Sequence, residues 1–158
     1  MKLLFVCLGN ICRSPSAENI MNHLIAEARI DEIECDSAGT SDYHISHPPD
    51  RRMVTAANKR NIPMSGYSRQ FTRADFTNFD LILAMDRENY DNILALDPQG
   101  QYQAKVKLMC DYATHHPDKE VPDPYFGGVA GFDYVIDLLL DACAGLLTEL
   151  KSTISQKV

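Results

Sequence analysis

Leu3 to Val6 form four apolar residues in a row, bounded by Lys2 and by a glycine-containing loop. A short run without alternation is the pattern of a strand buried on both faces. Past the loop, Ala17, Ile20, Met21, Leu24, Ile25 and Ala28 recur at helical spacing. Pro15 suits a first helical turn, where no backbone N–H is needed. The opening therefore predicts strand, loop, helix. Ile33 to Ser37 predicts a second strand, running into Ala38, Gly39 and Thr40. A polar loop over residues 41–50 closes on Pro48 and Pro49, and Met53 to Arg60 predicts a helix that stops before Asn61-Ile62-Pro63. Thr72, with Asp75 three residues on, predicts a helix cap. Leu81 to Met85 is a third strand, Asp86 caps a helix to about Leu96, and Val106 to Met109 is a fourth strand. After a loop rich in Pro, Asp and Gly (residues 114–131) comes a last helix. Phe132, Val135, Ile136, Leu139, Cys143 and Leu146 form its apolar stripe, and Asp133, Asp137 and Asp141 its wet side.

Strands alternating with helices predict an α/β fold in three layers: a central four-stranded parallel sheet flanked by helices. The chain shows no internal repeat, low-complexity tract or linker, so residues 1–158 are expected to form one domain. Such folds bind ligands beyond the carboxyl ends of their strands. Cys7, Ser37 and Asp86 then share one rim.

Charge narrows the partners. Twenty-two acidic residues against 15 basic give a net charge of −7, which argues against nucleic acid and anionic membranes without forbidding a local anion site. The five cysteines are odd in number and scattered, which suits neither a disulfide framework nor a zinc ribbon. Cys35, Cys110 and Cys143 sit among apolar neighbours and read as small buried thiols. A reducing, cytoplasmic setting is expected. Residues 1–8 superficially resemble a signal peptide ending in a lipid-modified cysteine, but the apolar core is too short and no cleavage site follows. No stretch approaches the ~20 apolar residues of a membrane span. The expected state is a monomer with at most weak self-association.

The chemistry concentrates between Cys7 and Ser14. A loop from a strand into a helix aims backbone N–H groups at one point, and the helix start adds partial positive charge. Arg13 at its far end can grip a phosphate with two parallel hydrogen bonds. The same environment favours a nucleophilic thiolate at Cys7, and Ser14 is placed to hydrogen-bond the sulfur. A nucleotide-type loop is excluded because no Gly-Lys-Ser/Thr occurs. Gly127-Gly128-Val129-Ala130-Gly131 follows no strand and is not a dinucleotide fingerprint. Cys7 and Cys12 lack further metal ligands nearby, and His115-His116 reads as a solvated pair in a polar loop. A cysteine phosphatase also needs an acid for the leaving oxygen. Asp123 stands between Pro122 and Pro124, with Tyr125 and Phe126 to line a cleft. Alone it reads as an Asp-Pro turn; beside the Cys7 loop it reads as the acid.

Cys7-Leu8-Gly9-Asn10-Ile11-Cys12-Arg13-Ser14-Pro15 and Asp123-Pro124-Tyr125-Phe126 resemble motifs of the low-molecular-weight protein tyrosine phosphatases. Asp36-Ser37-Ala38-Gly39-Thr40 and Ala84-Met85-Asp86 do so too, in the family's order and across essentially the whole chain. The resemblance implies attack by Cys7 on phosphorus and a phosphocysteine intermediate. It implies that Arg13 and the loop of Leu8, Gly9, Asn10, Ile11, Cys12, Arg13 and Ser14 hold the phosphoryl oxygens. Asp123 would protonate the tyrosyl oxygen and then activate water. Ser14 would support the sulfur, and Asn10 would brace the loop with help from Ser37. Tyr43, Tyr125 and Ile11 would contact the substrate ring, and no metal or cofactor is implied. His44, His47 and Asp50 read either as a plain surface loop or as readers of residues flanking phosphotyrosine. Cys12 reads either as a small filler or, by resemblance, as the partner of Cys7 in a reversible disulfide. Regulation by phosphorylation at Tyr125 is left open. The family often carries a histidine where Gly66 stands, so one brace of Asn10 is missing here.

Two enzymes resemble the chain less well. Thioredoxin-linked arsenate reductase needs two further cysteines after the third strand, where residues 85–93 have none. Protein-arginine phosphatases tend to carry threonine where Ile11 stands, so Ile11 favours an aryl substrate. A non-enzymatic phosphate-binding or redox-sensing module would have little use for both Cys7 and Asp123.

Overall fold

The computed structural model describes residues 1–124 and 128–156. Four parallel strands, β1 (Lys2–Cys7), β2 (Glu34–Gly39), β3 (Leu81–Ala84) and β4 (Val106–Leu108), form one sheet in the order β2-β1-β3-β4. Five helices accompany them: α1 (Arg13–Ala28), α2 (Arg51–Asn58), α3 (Ala74–Asn78), α4 (Arg87–Leu94) and α5 (Val129–Gln156). β1 is central, and the chain turns to one side of it for β2 and to the other for β3. That reversal opens a crevice at the carboxyl end of β1.

Alternation along β1 divides the core. Leu3, Phe5 and Cys7 face a cluster built with α1, α2 and α5, whereas Leu4 and Val6 face Phe71, Phe76 and Ile93 on the other side. Leu3 to Val6 are wholly buried, which is why the strand reads as a continuous apolar run. Each such side chain stabilises the fold by roughly 1.5–3 kcal/mol. Among the described residues, no helix is long and apolar enough to cross a membrane.

Several boundaries differ from expectation. α1 begins at Arg13, two residues before Pro15, with Cys12 as its N-cap. Proline is tolerated anywhere in the first turn, because those N–H groups have no intrahelical partner. Thr72 does not cap α3. The bond runs the other way, with Thr72 N–H donating to Asp75 Oδ2 at 2.8 Å, and Arg73 holds the cap position. α4 begins at the Asp86 cap as expected but stops at Leu94. α5 begins at Val129, three residues before the apolar stripe.

Candidate active site

The loop between β1 and α1 is folded around the Cys7 sulfur. Cys7 is buried, its Sγ lies 3.0 Å from Ser14 Oγ, and Asn10 N–H donates to it at 3.3 Å. Asn10 adopts a left-handed backbone (φ 56), a conformation that costs a non-glycine residue about 1 kcal/mol. Its side chain holds that turn: Nδ2 donates to Ser14 Oγ at 2.7 Å, and Oδ1 accepts Arg69 N–H at 3.0 Å. With Asn10 donating to it, Ser14 Oγ keeps its own proton for the Cys7 sulfur or for Ala38 O at 3.3 Å.

Outer contacts tie down the loop carbonyls. Thr40 N–H donates to Cys7 O, Ser41 N–H to Leu8 O and Asp50 N–H to Ile11 O, all at 2.8–2.9 Å. The amides of Gly9, Ile11 and Cys12 donate to no described residue. They leave a concave ring of N–H groups at the start of α1, the geometry of an anion cradle.

Arg13, the first residue of α1, is 3% exposed. Its Nη1 donates to Asp86 Oδ2 at 2.6 Å and to Val121 O at 3.1 Å, and Nη2 lies 3.7 Å from Asp123 Oδ2. Burial works to lower its pKa, but the facing Cys7 sulfur and the Asp86 carboxylate outweigh that and raise it. Cys12, the α1 cap, is buried, and burial followed by the charges of Asp50, Cys7 and Asp123 pushes its thiol far up. It therefore stays protonated beside Cys7.

These groups converge on one cavity of about 250 Å³, whose wall includes Cys7, Ile11, Arg13, Tyr43, His44 and Asp123. Asp123 stands at its mouth with a half-exposed carboxyl, and its segment is hung from the sheet by Val121 N–H on Met85 O at 2.8 Å. Tyr43 is an exposed aromatic at the rim. Tyr125 lies outside the described residues.

The arrangement is that of an enzyme for phosphate esters, and comparison with known proteins agrees. The profile of the low molecular weight phosphotyrosine protein phosphatases matches residues 2–156. The chain belongs to that family. It is therefore a cysteine-dependent protein-tyrosine phosphatase by family. A relative from Synechocystis sp. is 63% identical over 151 residues, covering 95% of this chain and 96% of its own, and the low molecular weight phosphotyrosine protein phosphatase of Homo sapiens is 40% identical over 149 residues, covering 92% of this chain and 92% of its own. The crystal structure of a protein tyrosine phosphatase from Entamoeba histolytica matches with a TM-score of 0.93 and 46% identity over 97% of this chain and 98% of its own. An arginine phosphatase of Drosophila matches with a TM-score of 0.89 and 30% identity, over 96% and 98%. The last shows that the fold leaves open which phosphorylated residue a member cleaves.

One support of the phosphatase loop differs from expectation. Ser37, expected to help brace Asn10, gives its hydroxyl to Glu18 Oε1 at 2.6 Å instead. Burial raises the Glu18 carboxyl, and the Ser37 bond opposes that rise. Asn10, Ser37 and Gly66 do border one small cavity of about 70 Å³. Gly66 has φ +106, a backbone that strains any larger residue, and open space where a side chain would begin. Asp86 is the functional residue that sequence reasoning missed. Its place on the rim at the end of β3 and in a family motif was visible, but the only role given to its side chain was that of a cap. It does cap α4, through Oδ1 on Asn89 N–H at 2.7 Å, while Oδ2 holds Arg13.

Proposed function

We infer that this phosphatase hydrolyses phosphotyrosine in proteins, and small aryl phosphates, through a phosphocysteine on Cys7. The observation that carries the reading is the convergence on one cavity of Cys7, the Arg13 fork and the Asp123 carboxyl. In the first step Cys7 sulfur forms a bond to phosphorus as the bond to the tyrosyl oxygen breaks. Asp123 gives that oxygen its proton, so tyrosine leaves neutral. In the second step the Asp123 carboxylate takes a proton from water, the water oxygen bonds to phosphorus, and the sulfur leaves. Arg13 and the loop amides of Leu8 to Ser14 stabilise the dispersed charge of the phosphoryl oxygens in both steps. Ser14 O–H and Asn10 N–H receive the negative charge on the sulfur as it departs. Ile11 and Tyr43 form an apolar wall for an aromatic ring, which favours an aryl ester over a guanidinium phosphate.

The test compares wild type, Cys7→Ser and Asp123→Ala, with chelator present. Cys7→Ser is expected to abolish turnover of a phosphotyrosine peptide. Asp123→Ala should lower kcat about 10²- to 10⁴-fold on that peptide. The loss should be smaller on p-nitrophenyl phosphate, whose leaving oxygen needs less protonation. Equal losses on the two substrates would remove Asp123 as the acid.

A further inference from the structure

A groove lies beside the catalytic cavity and shares a wall with it. Leu8, Ser41 and Tyr43 line both. From that rim it runs over Thr40 and Phe71 to Arg73, Ile93 and Leu96. Its volume is about 550 Å³, against about 250 Å³ for the catalytic cavity. A phosphotyrosine side chain that fills the cavity brings its own main chain over this rim. The groove therefore lies where the neighbouring residues of a protein substrate pass.

Its charge is unlike that of the molecule. The chain carries a net charge of −7. Yet the described residues lining the groove include no carboxylate and a single cation, Arg73. Arg13, Arg52, Arg60 and Arg69 are each paired with an aspartate. Arg73 is exposed and makes no ion pair among the described residues. Leu8 and Leu96 leave apolar surface open, at 36% and 37% exposure.

We propose that this groove receives the extended peptide flanking the substrate's phosphotyrosine, and that it selects segments placing a carboxylate against Arg73 and an apolar side chain on Leu8 and Leu96. The proposal rests on the phosphotyrosine reading above. Continuity with the catalytic cavity makes the occupant a part of the substrate, and a groove whose single charged lining residue is an arginine makes the preferred flank acidic.

The test uses three phosphotyrosine peptides that differ only in carrying Glu, Ala or Lys near the phosphorylated residue. Wild type should turn over the Glu peptide with a kcat/KM about fivefold above the Lys peptide, a size typical of exposed ion pairs. In Arg73→Glu the order should invert. Lys151→Glu, an equal charge change near the C-terminal end of α5, should keep the wild-type order. Hydrolysis of p-nitrophenyl phosphate by wild type separates the possible failures. If that substrate and all peptides are hydrolysed but Arg73→Glu leaves the Glu-to-Lys ratio unchanged, the groove proposal is overturned and the phosphatase reading stands. An equal shift in Lys151→Glu would also overturn it, because the field of the whole molecule would then be responsible. If wild type hydrolyses neither substrate type, the phosphatase reading falls and the groove proposal with it.

Discussion

Arg13 is oriented by the protein itself. One nitrogen of its fork is committed to Asp86 and Val121 O, which turns the guanidinium toward the cavity that Cys7 floors. A hydrogen bond between charged groups is worth about 1.5–3 kcal/mol, so losing the charge on Asp86 should free the arginine appreciably. Asp86→Asn is expected to lower kcat/KM for p-nitrophenyl phosphate about tenfold or more and to raise the inhibition constant of inorganic phosphate. Asparagine is an equally good helix cap, so the start of α4 should be kept and the melting temperature should fall only by the few degrees that the lost charged bond accounts for. An unchanged phosphate inhibition constant would show that Asp86 serves only the helix. Cys7 and Arg13 were legible in the sequence because both lie in one short loop between a strand and a helix. The pairing of Arg13 with Asp86 spans 73 positions, a separation at which local pattern carries no signal.

The Cys7 loop owes its shape to its neighbours as much as to its own residues. The turn after β2 binds its carbonyls through Thr40 and Ser41, and the start of α2 binds through Asp50. Gly39 makes the closest approach. A Cβ there would meet Leu8 O at 2.7 Å and Asn10 N at 3.1 Å, both backbone atoms that cannot rotate away. Gly39→Ala should therefore shift the anion cradle. We expect kcat to fall at least tenfold, with a stability loss of about 1–3 kcal/mol read from denaturant unfolding. Full activity in this variant would mean that the loop tolerates displacement. The sequence marked Ala38-Gly39-Thr40 as the end of a strand. That the glycine makes room for another strand's loop depends on the parallel register of Cys7 with Gly39.

At the scale of the whole molecule, the Asp141 carboxylate gathers several bonds that tie α5 to the segment before it. Asp141 accepts from the backbone N–H groups of Thr114, His115 and His116 and pairs with the His116 ring at 2.7 Å. Burial pushes its carboxyl up, but the His116 and backbone hydrogen bonds outweigh that and hold it well below the ordinary aspartate value. A depressed carboxyl binds fewer protons folded than unfolded. Its contribution to stability is therefore complete above the unfolded aspartate pKa of about 4 and is lost as pH falls through the lower, folded value. The melting temperature should fall on acidification below about pH 4, and Asp141→Asn should flatten that fall while lowering stability at neutral pH. Parallel pH profiles for the two proteins would assign the acid sensitivity elsewhere. Asp141 had been read as part of the wet face of α5, because helical spacing ranks positions by face and cannot show which loop returns to cover them.

The sequence by itself determined the elements and the reactive pair. A buried parallel strand must be continuously apolar, a surface helix must carry a stripe, and a phosphate loop must sit between them. All of these are local requirements, written within a few residues of one another. Tertiary structure alone decided what surrounds the sulfur and the arginine: Asp86 on Arg13, Arg69 N–H on Asn10, Ser37 on Glu18, and the groove that Arg73 overlooks. These contacts join residues brought together by the order of strands in the sheet. Hydrogen bonds and charge pairs act over a few ångströms of space whatever the distance along the chain, so only the folded arrangement could specify them.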